Sequence, residues 1–208
     1  MAFDGITIAA MVSELNKNLS GGRINKIAQP ESDELLITGK GANGQKRLLL
    51  SASASLPLIY FTGKNRISPL TAPNFCMLLR KHIGSARITA IRQPGLERVV
   101  EFELEHLNEL GDVCHKVLIM ELMGKHSNII FCDDNNMILD SIKHVSCNVS
   151  SVREVLPGRP YFIPHTQDKL DPLTISREDF MEKVCGRSNA VSKALYQTLT
   201  GFSPVMAQ

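Results

Sequence analysis

The sequence contains no tryptophan, and its 208 residues include only eight phenylalanines and three tyrosines. That scarcity excludes base stacking as the main way of holding single-stranded nucleic acid, which needs aromatic platforms. Any nucleic-acid contact would have to rest on phosphates and shape. Charge of one sign is also missing: 23 Lys and Arg face 21 Asp and Glu, for a net charge of +2. A strongly basic footprint is therefore absent, and placement of charge matters more than its sum. No apolar run reaches membrane-spanning length, and no charged-then-apolar leader opens the chain; membrane insertion and standard secretion are not expected. The five cysteines, Cys76, Cys114, Cys132, Cys147 and Cys185, are odd in number and never in C-x-x-C spacing. This pattern reads as reduced thiols in a cytoplasmic protein.

What is present is a foldable chain. Its 43% hydrophobic content supports a core. Asp4 is placed to cap a helix with apolar positions Ile8, Met11, Val12, Leu15 and Leu19, ended by Gly21-Gly22. Short strands are predicted over Arg23–Gln29, Glu34–Thr38, Lys46–Leu50 and Leu58–Phe61, with Asn43-Gly44 marking a hairpin. Pro73 suits the first turn of a second helix reaching about Ile83 and closed by Gly84. Five more strands follow: Ala86–Arg92, Arg98–Glu105, Lys116–Glu121, Asn128–Cys132 and Met137–Lys143, the last two joined by a turn at Asp134-Asn135-Asn136. The fold class is therefore α+β, an antiparallel β-sandwich with two helices.

Pro157, Pro160, Pro164 and Pro172 make Cys147–Pro172 an extended crossover. Helical signals then return: a capping box at Ser176 and Asp179 before Phe180–Cys185, an amphipathic stretch over Ser188–Leu199, and Ser203-Pro204 as a new helix start. The expected division is a domain over 1–172 and the beginning of a helical one over 173–208. The last helix is too short to bury a face, so the chain reads as a fragment.

Enzyme signals fail one by one. Gly39-Lys-Gly-Ala-Asn-Gly44-Gln-Lys46 has its lysine one position late for a phosphate loop, and no Ser or Thr follows to hold magnesium. Ser127 lacks the G-x-S-x-G elbow. His144 and Cys147 form half a metal site without a second half. Asp140 and Glu121 are lone carboxylates with no partner visible in the sequence. No catalytic residue, metal or cofactor is expected. Basic residues, in contrast, gather at loops and strand ends: Lys40, Lys46 and Arg47; Lys64 and Arg66; Arg80 and Lys81 with His82; Arg92 and Arg98; Lys125 with His126. Together they permit a phosphate-tracking face despite the low net charge.

Three segments carry a specific resemblance. Glu121-Leu-Met-Gly-Lys-His-Ser-Asn-Ile-Ile130 resembles the E-x-M-G-x-H-S-N signature of the NFACT-N family. Asp140-Ser-Ile-Lys-His144 with Arg153-Glu-Val-Leu-Pro-Gly-Arg-Pro-Tyr161 resembles its next block, and Phe3-Asp-Gly-Ile-Thr7 with Gly22-Arg-Ile-Asn-Lys-Ile27 its opening. Gly201-Phe-Ser-Pro204 resembles the helix–hairpin–helix segment just downstream. The family includes bacterial RqcH proteins, often labelled fibronectin-binding protein A, and eukaryotic NEMF.

The resemblance implies ribosome-associated quality control. Such proteins bind a large ribosomal subunit still blocked by peptidyl-tRNA and recruit charged tRNA, alanyl-tRNA in bacteria, for an untemplated tail. The peptide-bond chemistry belongs to the ribosome. The family's Asp-Arg pair, implicated in tRNA recognition, is matched here by Glu97 and Arg98, where Asp is replaced by Glu. In the signature, Gly124 is expected to make a tight turn and Asn128 to bond backbone, with Lys125 and His126 as further candidate RNA contacts. The family label also implies an alternative partner, fibronectin. The expected fold is similar to the N-terminal domain of formamidopyrimidine-DNA glycosylases, but Met1-Ala2-Phe3 replaces the Pro-Glu those enzymes use.

Overall fold

A computed structural model describes residues 3–164 and 168–208. Met1, Ala2 and positions 165–167 of the expected crossover lie outside the described residues. Helix α1 spans Gly5–Leu19, with Asp4 in an extended conformation accepting the Thr7 N–H at 2.8 Å. That carboxylate satisfies one of the donors a helix start leaves free. Ile8, Leu15 and Leu19 point inward, and the helix ends where Gly21 takes a φ of +76°.

Strands β1 (Arg23–Ala28), β2 (Glu34–Gly41), β3 (Gly44–Ser51) and β4 (Leu58–Phe61) follow as an antiparallel meander. The β2–β3 hairpin turns at Ala42–Asn43, and Gly44, at φ +85°, supplies the left-handed residue. Helix α2 covers Asn74–Ile83; Pro73 precedes it at the cap position, one step earlier than the sequence suggests. Strands β5 (Arg87–Arg92), β6 (Val99–Leu107), β7 (Val113–Glu121), β8 (Asn128–Asp133) and β9 (Ile138–Ser141) complete the sheet. At the β8–β9 turn, Asp133 accepts the N–H groups of Asn135 and Met137, and Asn136 is left-handed at φ 58°.

The sandwich expected from the strand count is, in hydrogen-bonding terms, one antiparallel sheet of nine strands ordered β4-β3-β2-β1-β5-β6-β7-β8-β9. The two halves meet at β1 and β5, where Arg23 pairs Arg87, the Ile88 N–H donates to Gly22 O and the Gly21 N–H donates to Ile88 O. They share one core: Leu19, Ile37 and Leu48 line the same small cavity as Ile88, Phe102 and Leu118. Each such buried aliphatic side chain contributes about 1.5–3 kcal/mol. The alternating side chains Val99, Ile119 and Ile130 face the other way and are covered by Val155, Tyr161 and Ile163 of the crossover. Bridges Val145–Val155 and Met137–Pro160 tie that segment down.

Beyond the crossover, Ser176 Oγ accepts the Asp179 N–H and donates to its carboxylate, opening helix α3 (Arg177–Phe180). The predicted run to Cys185 continues as a π-helical turn, Met181–Cys185, before helix α4, Val191–Thr198. Val184, Ala194 and Leu199 form a separate small cluster with Leu170 and Phe180. This C-terminal part closes against α1, where the Gly5 N–H donates to Gly201 O at 3.0 Å. Among the described residues no helix is long and apolar enough to cross a membrane.

Candidate functional site

The Glu97–Arg98 bend lies between β5 and β6 and is braced on three sides. Gly95 takes a left-handed φ of +52°, and the Glu97 N–H closes the turn onto Pro94 O at 3.0 Å. Gln93 Nε2 donates to both Glu97 O and Gly5 O at 2.8 Å, tying the bend to the start of α1. Leu122 N–H donates to Arg98 O at 2.9 Å, tying it to the end of β7. The backbone is therefore fixed while both side chains stay half-buried, and neither makes an ion pair among the described residues. Of the two side chains, the Arg98 fork is the one whose donors suit a phosphate.

A third charge joins them that sequence reasoning missed. Burial, and then the Arg98 guanidinium, pull the Lys169 amine below its ordinary pKa, with Glu97 acting in the opposite sense. No local signal marks Lys169, because its proximity depends on where the chain returns after the crossover.

The signature residues divide in two. Gly124 is left-handed at φ 59° and opens a 3-10 turn, Gly124–His126, that leaves Lys125 and His126 exposed. Asn128, grouped with them as a motif residue, is only 3% exposed and faces backbone. Its Nδ2 donates to Lys143 O at 2.8 Å, and its Oδ1 accepts from Ile129 and Lys143 N–H groups. Those bonds seat β8 against the end of β9, the backbone role expected of Asn128 in the signature.

The residues considered for chemistry are also occupied. Ser127 is buried, and its Oγ accepts the Met123 N–H at 2.8 Å. Asp140 meets His144 Nε2 at 2.6 Å, while Cys147 is exposed, and among the described residues no group of metal-ligand type is assembled. Glu121 is fully buried, and it is not alone: Arg153 Nη2 lies 2.5 Å from Oε1, and Tyr161 Oη donates to the same oxygen at 3.0 Å. The Arg153 guanidinium sits 5.3 Å from the Tyr161 ring centroid and also donates to Phe162 O. Burial, with the Glu121 carboxylate close by, pushes the Tyr161 hydroxyl pKa far up. Glu121 therefore anchors the crossover and is not poised as a base.

Several of the basic residues are spent locally. Arg92 pairs with Glu103 at 2.7 Å and Arg66 with Glu34 at 3.7 Å, while Arg80 Nε donates to Ile27 O and Arg47 Nη1 to Gly63 O. Lys40, Lys64, Lys81 and Lys125 remain exposed.

The family model described as NFACT N-terminal and middle domains matches residues 4–208. The chain belongs to the NFACT family. It is 40% identical over 211 residues to the Rqc2 homolog RqcH of Bacillus subtilis (strain 168), covering 100% of this chain and 37% of that protein. It is 26% identical over 175 residues to the human ribosome quality control complex subunit NEMF, covering 84% of this chain and 15% of that protein. The crystal structure of the N-terminal domain of fibronectin-binding protein PavA from Streptococcus pneumoniae superposes with a TM-score of 0.91 at 36% identity, covering 99% of this chain and 77% of that one. This NFACT chain thus spans little more than a third of the bacterial RqcH protein it matches.

Proposed function

We propose that this chain is the tRNA- and large-subunit-binding module of a ribosome-associated quality control factor. It holds alanyl-tRNA against a large subunit blocked by peptidyl-tRNA, and the ribosome joins the residues of the untemplated tail. The observation that carries this reading is the Glu97–Arg98 bend, whose backbone is braced from α1 and β7 while its charges stay unpaired among the described residues. An arginine fork suits a phosphate or a base edge, and an adjacent carboxylate orients it or accepts from a base amine. The names of the RqcH and NEMF relatives support the same setting.

We assign no reaction to the chain itself, because Ser127, Asp140 and Glu121 are each engaged with a structural partner. The proposal includes a cytoplasmic location, and a division into an NFACT-N domain over 1–172 and the opening of a helix–hairpin–helix domain over 173–208. The separate Val184, Ala194 and Leu199 cluster supports that division. The proposed likeness to the N-terminal domain of formamidopyrimidine-DNA glycosylases concerns fold alone.

The test replaces Glu97 and Arg98, each by Ala, in the intact protein. Binding to blocked large subunits with tRNA, and tail addition, should both fall by at least about tenfold, as when one good bidentate contact is lost. Unchanged binding and tails in both variants would remove the assignment.

A second reading, a fibronectin-binding surface adhesin, is favoured by the name of the PavA neighbour. It requires the intact protein on washed, unlysed cells and saturable fibronectin binding there; absence from that surface removes it.

A further inference from the structure

The first strands of the sheet carry like charges directly opposite one another. Arg23 on β1 is the register partner of Arg87 on β5 and of Lys40 on β2, so three cations cross adjacent strands in one row. Such partners stand about 4.5–5.5 Å apart at Cα. In the next row, Lys26 on β1 pairs Thr38 on β2, which pairs Arg47 on β3. Ile24, Ile27, Ile37 and Leu48, their neighbours in sequence, are buried in the core. Alternation therefore turns both rows outward, where Arg23, Lys26, Lys40 and Arg87 are exposed and Arg47 is half-buried.

Like charges directly opposite on neighbouring strands destabilise a sheet, and little on this face offsets them. None of the five cations forms an ion pair among the described residues. Arg23 and Arg47 donate to neutral carbonyls, those of Ser85 and Gly63. Glu105, the partner of Arg87 on β6, is the one carboxylate that extends either row within the paired strands. Glu34, farther along β2, is taken by Arg66. Lysines and arginines often guard exposed sheet edges, but β1, β2 and β5 are interior strands. An edge-protection role therefore does not account for them, whereas a polyanion laid across the rows does.

We propose that Arg87, Arg23, Lys40, Lys26 and Arg47 form a phosphate-tracking face that seats the chain on duplex ribosomal RNA of the large subunit. The two rows hold no aromatic side chain on which an unpaired base could stack. A duplex instead presents its phosphates to a sheet face, and such contacts fix position without reading sequence. The strand β5 runs from Arg87 to Arg92 before the bend begins, about 17 Å of chain. The band thus meets a different stretch of RNA from the one at Arg98. The inference rests on the RNA-binding reading of the bend and adds a second surface with its own partner.

The experiment uses the intact protein as wild type, the double variant Arg23→Gln with Lys40→Gln, the charge-keeping double variant Arg23→Lys with Lys40→Arg, and Arg98→Ala. Affinity is measured across a salt series for large subunits carrying peptidyl-tRNA and, separately, for purified tRNA. The glutamine variant should bind subunits about tenfold more weakly and flatten the log–log salt slope by about two, the loss of two phosphate contacts. Its tRNA affinity should hold, and its thermal midpoint should stay level or rise, because a like-charge row is relieved. The charge-keeping variant should match the wild type. If the glutamine variant keeps both subunit affinity and slope while Arg98→Ala weakens binding, the band is overturned and the bend reading stands. If the band variant loses subunit binding and Arg98→Ala loses nothing, the band stands and the bend reading falls. If neither variant changes anything, both fall. An equal loss on purified tRNA overturns the ribosomal partner. A lowered thermal midpoint with an unchanged slope overturns the band as well, because the two side chains would then be structural.

Discussion

Ser203 Oγ donates to Asp4 Oδ2 at 2.6 Å, joining side chains 199 residues apart in the sequence. Both residues are caps. Asp4 accepts the Thr7 N–H at the start of α1, and Ser203 accepts the Met206 N–H at the start of the final turn. One hydrogen bond between two caps thus fastens the C-terminal segment to the first helix, beside the Gly5–Gly201 backbone contact.

Asp4→Ala removes a cap and this link together, and should cost about 1–2 kcal/mol in urea unfolding. Burial by itself raises the Asp4 carboxyl pKa, but the hydrogen bonds from Ser203 and Thr7 outweigh it and hold the group below its ordinary value. A carboxyl depressed on folding contributes stability that is present above its unfolded pKa and lost as pH falls through the folded one. Asp4→Asn keeps a capping oxygen without the charge. Its stability should therefore fall less steeply than the wild type's below about pH 4. Parallel acid titrations followed by circular dichroism would show this.

The Glu121–Arg153 pair is set to behave oppositely under single and double substitution. Glu121 is fully buried and the Arg153 side chain is 10% exposed. Removing one partner leaves an unpaired buried charge, so Glu121→Leu or Arg153→Met should each cost about 3–5 kcal/mol. The double variant should recover much of that loss. Equal and additive losses in a denaturant series would show that the two charges do not act as a pair.

How much of this was legible beforehand depends on range. The Asp4 cap, the Gly44 hairpin and the Asp133–Asn136 turn are written in adjacent residues, so sequence chemistry finds them. Strand ends are less local: β6 and β7 run on to Leu107 and Val113 because Asn108 and Asp112 close a tight hairpin that extends the ladder. The π-helical turn at Met181–Cys185 has no composition signal of its own. The joining of both halves at Arg23 and Arg87, the capture of Glu121 by Arg153, and the arrival of Lys169 beside Arg98 depend on chain return over tens of residues. Motif similarity singled out Glu97, Arg98, Lys125, His126 and Asn128 and already set Asn128 apart as a backbone-bonding residue; the structure adds its partners, Lys143 and Ile129, and the exposure of Lys125 and His126.

Gly5 couples the fold to the proposed site. A Cβ there would stand 1.9 Å from Leu96 O and 2.6 Å from Gly201 Cα. Gly5→Ala should cost about 1–3 kcal/mol through overpacking. Because Leu96 precedes Glu97, it should also weaken RNA binding without changing any charge. Gly111→Ala, at an open left-handed turn, is the control: some stability loss is expected there, with RNA binding unchanged. Measuring melting temperature and RNA affinity on both variants separates the two effects.

The claim that the Glu97–Arg98 bend grips RNA is tested most directly by a photoreactive side chain placed at position 98 of the intact protein on blocked large subunits. A second probe at Leu110, on the exposed tip between β6 and β7, serves as reference. Irradiation should link position 98 to tRNA or ribosomal RNA well above the Leu110 level. Links from position 98 to protein alone, or RNA links no stronger than those from Leu110, would contradict it.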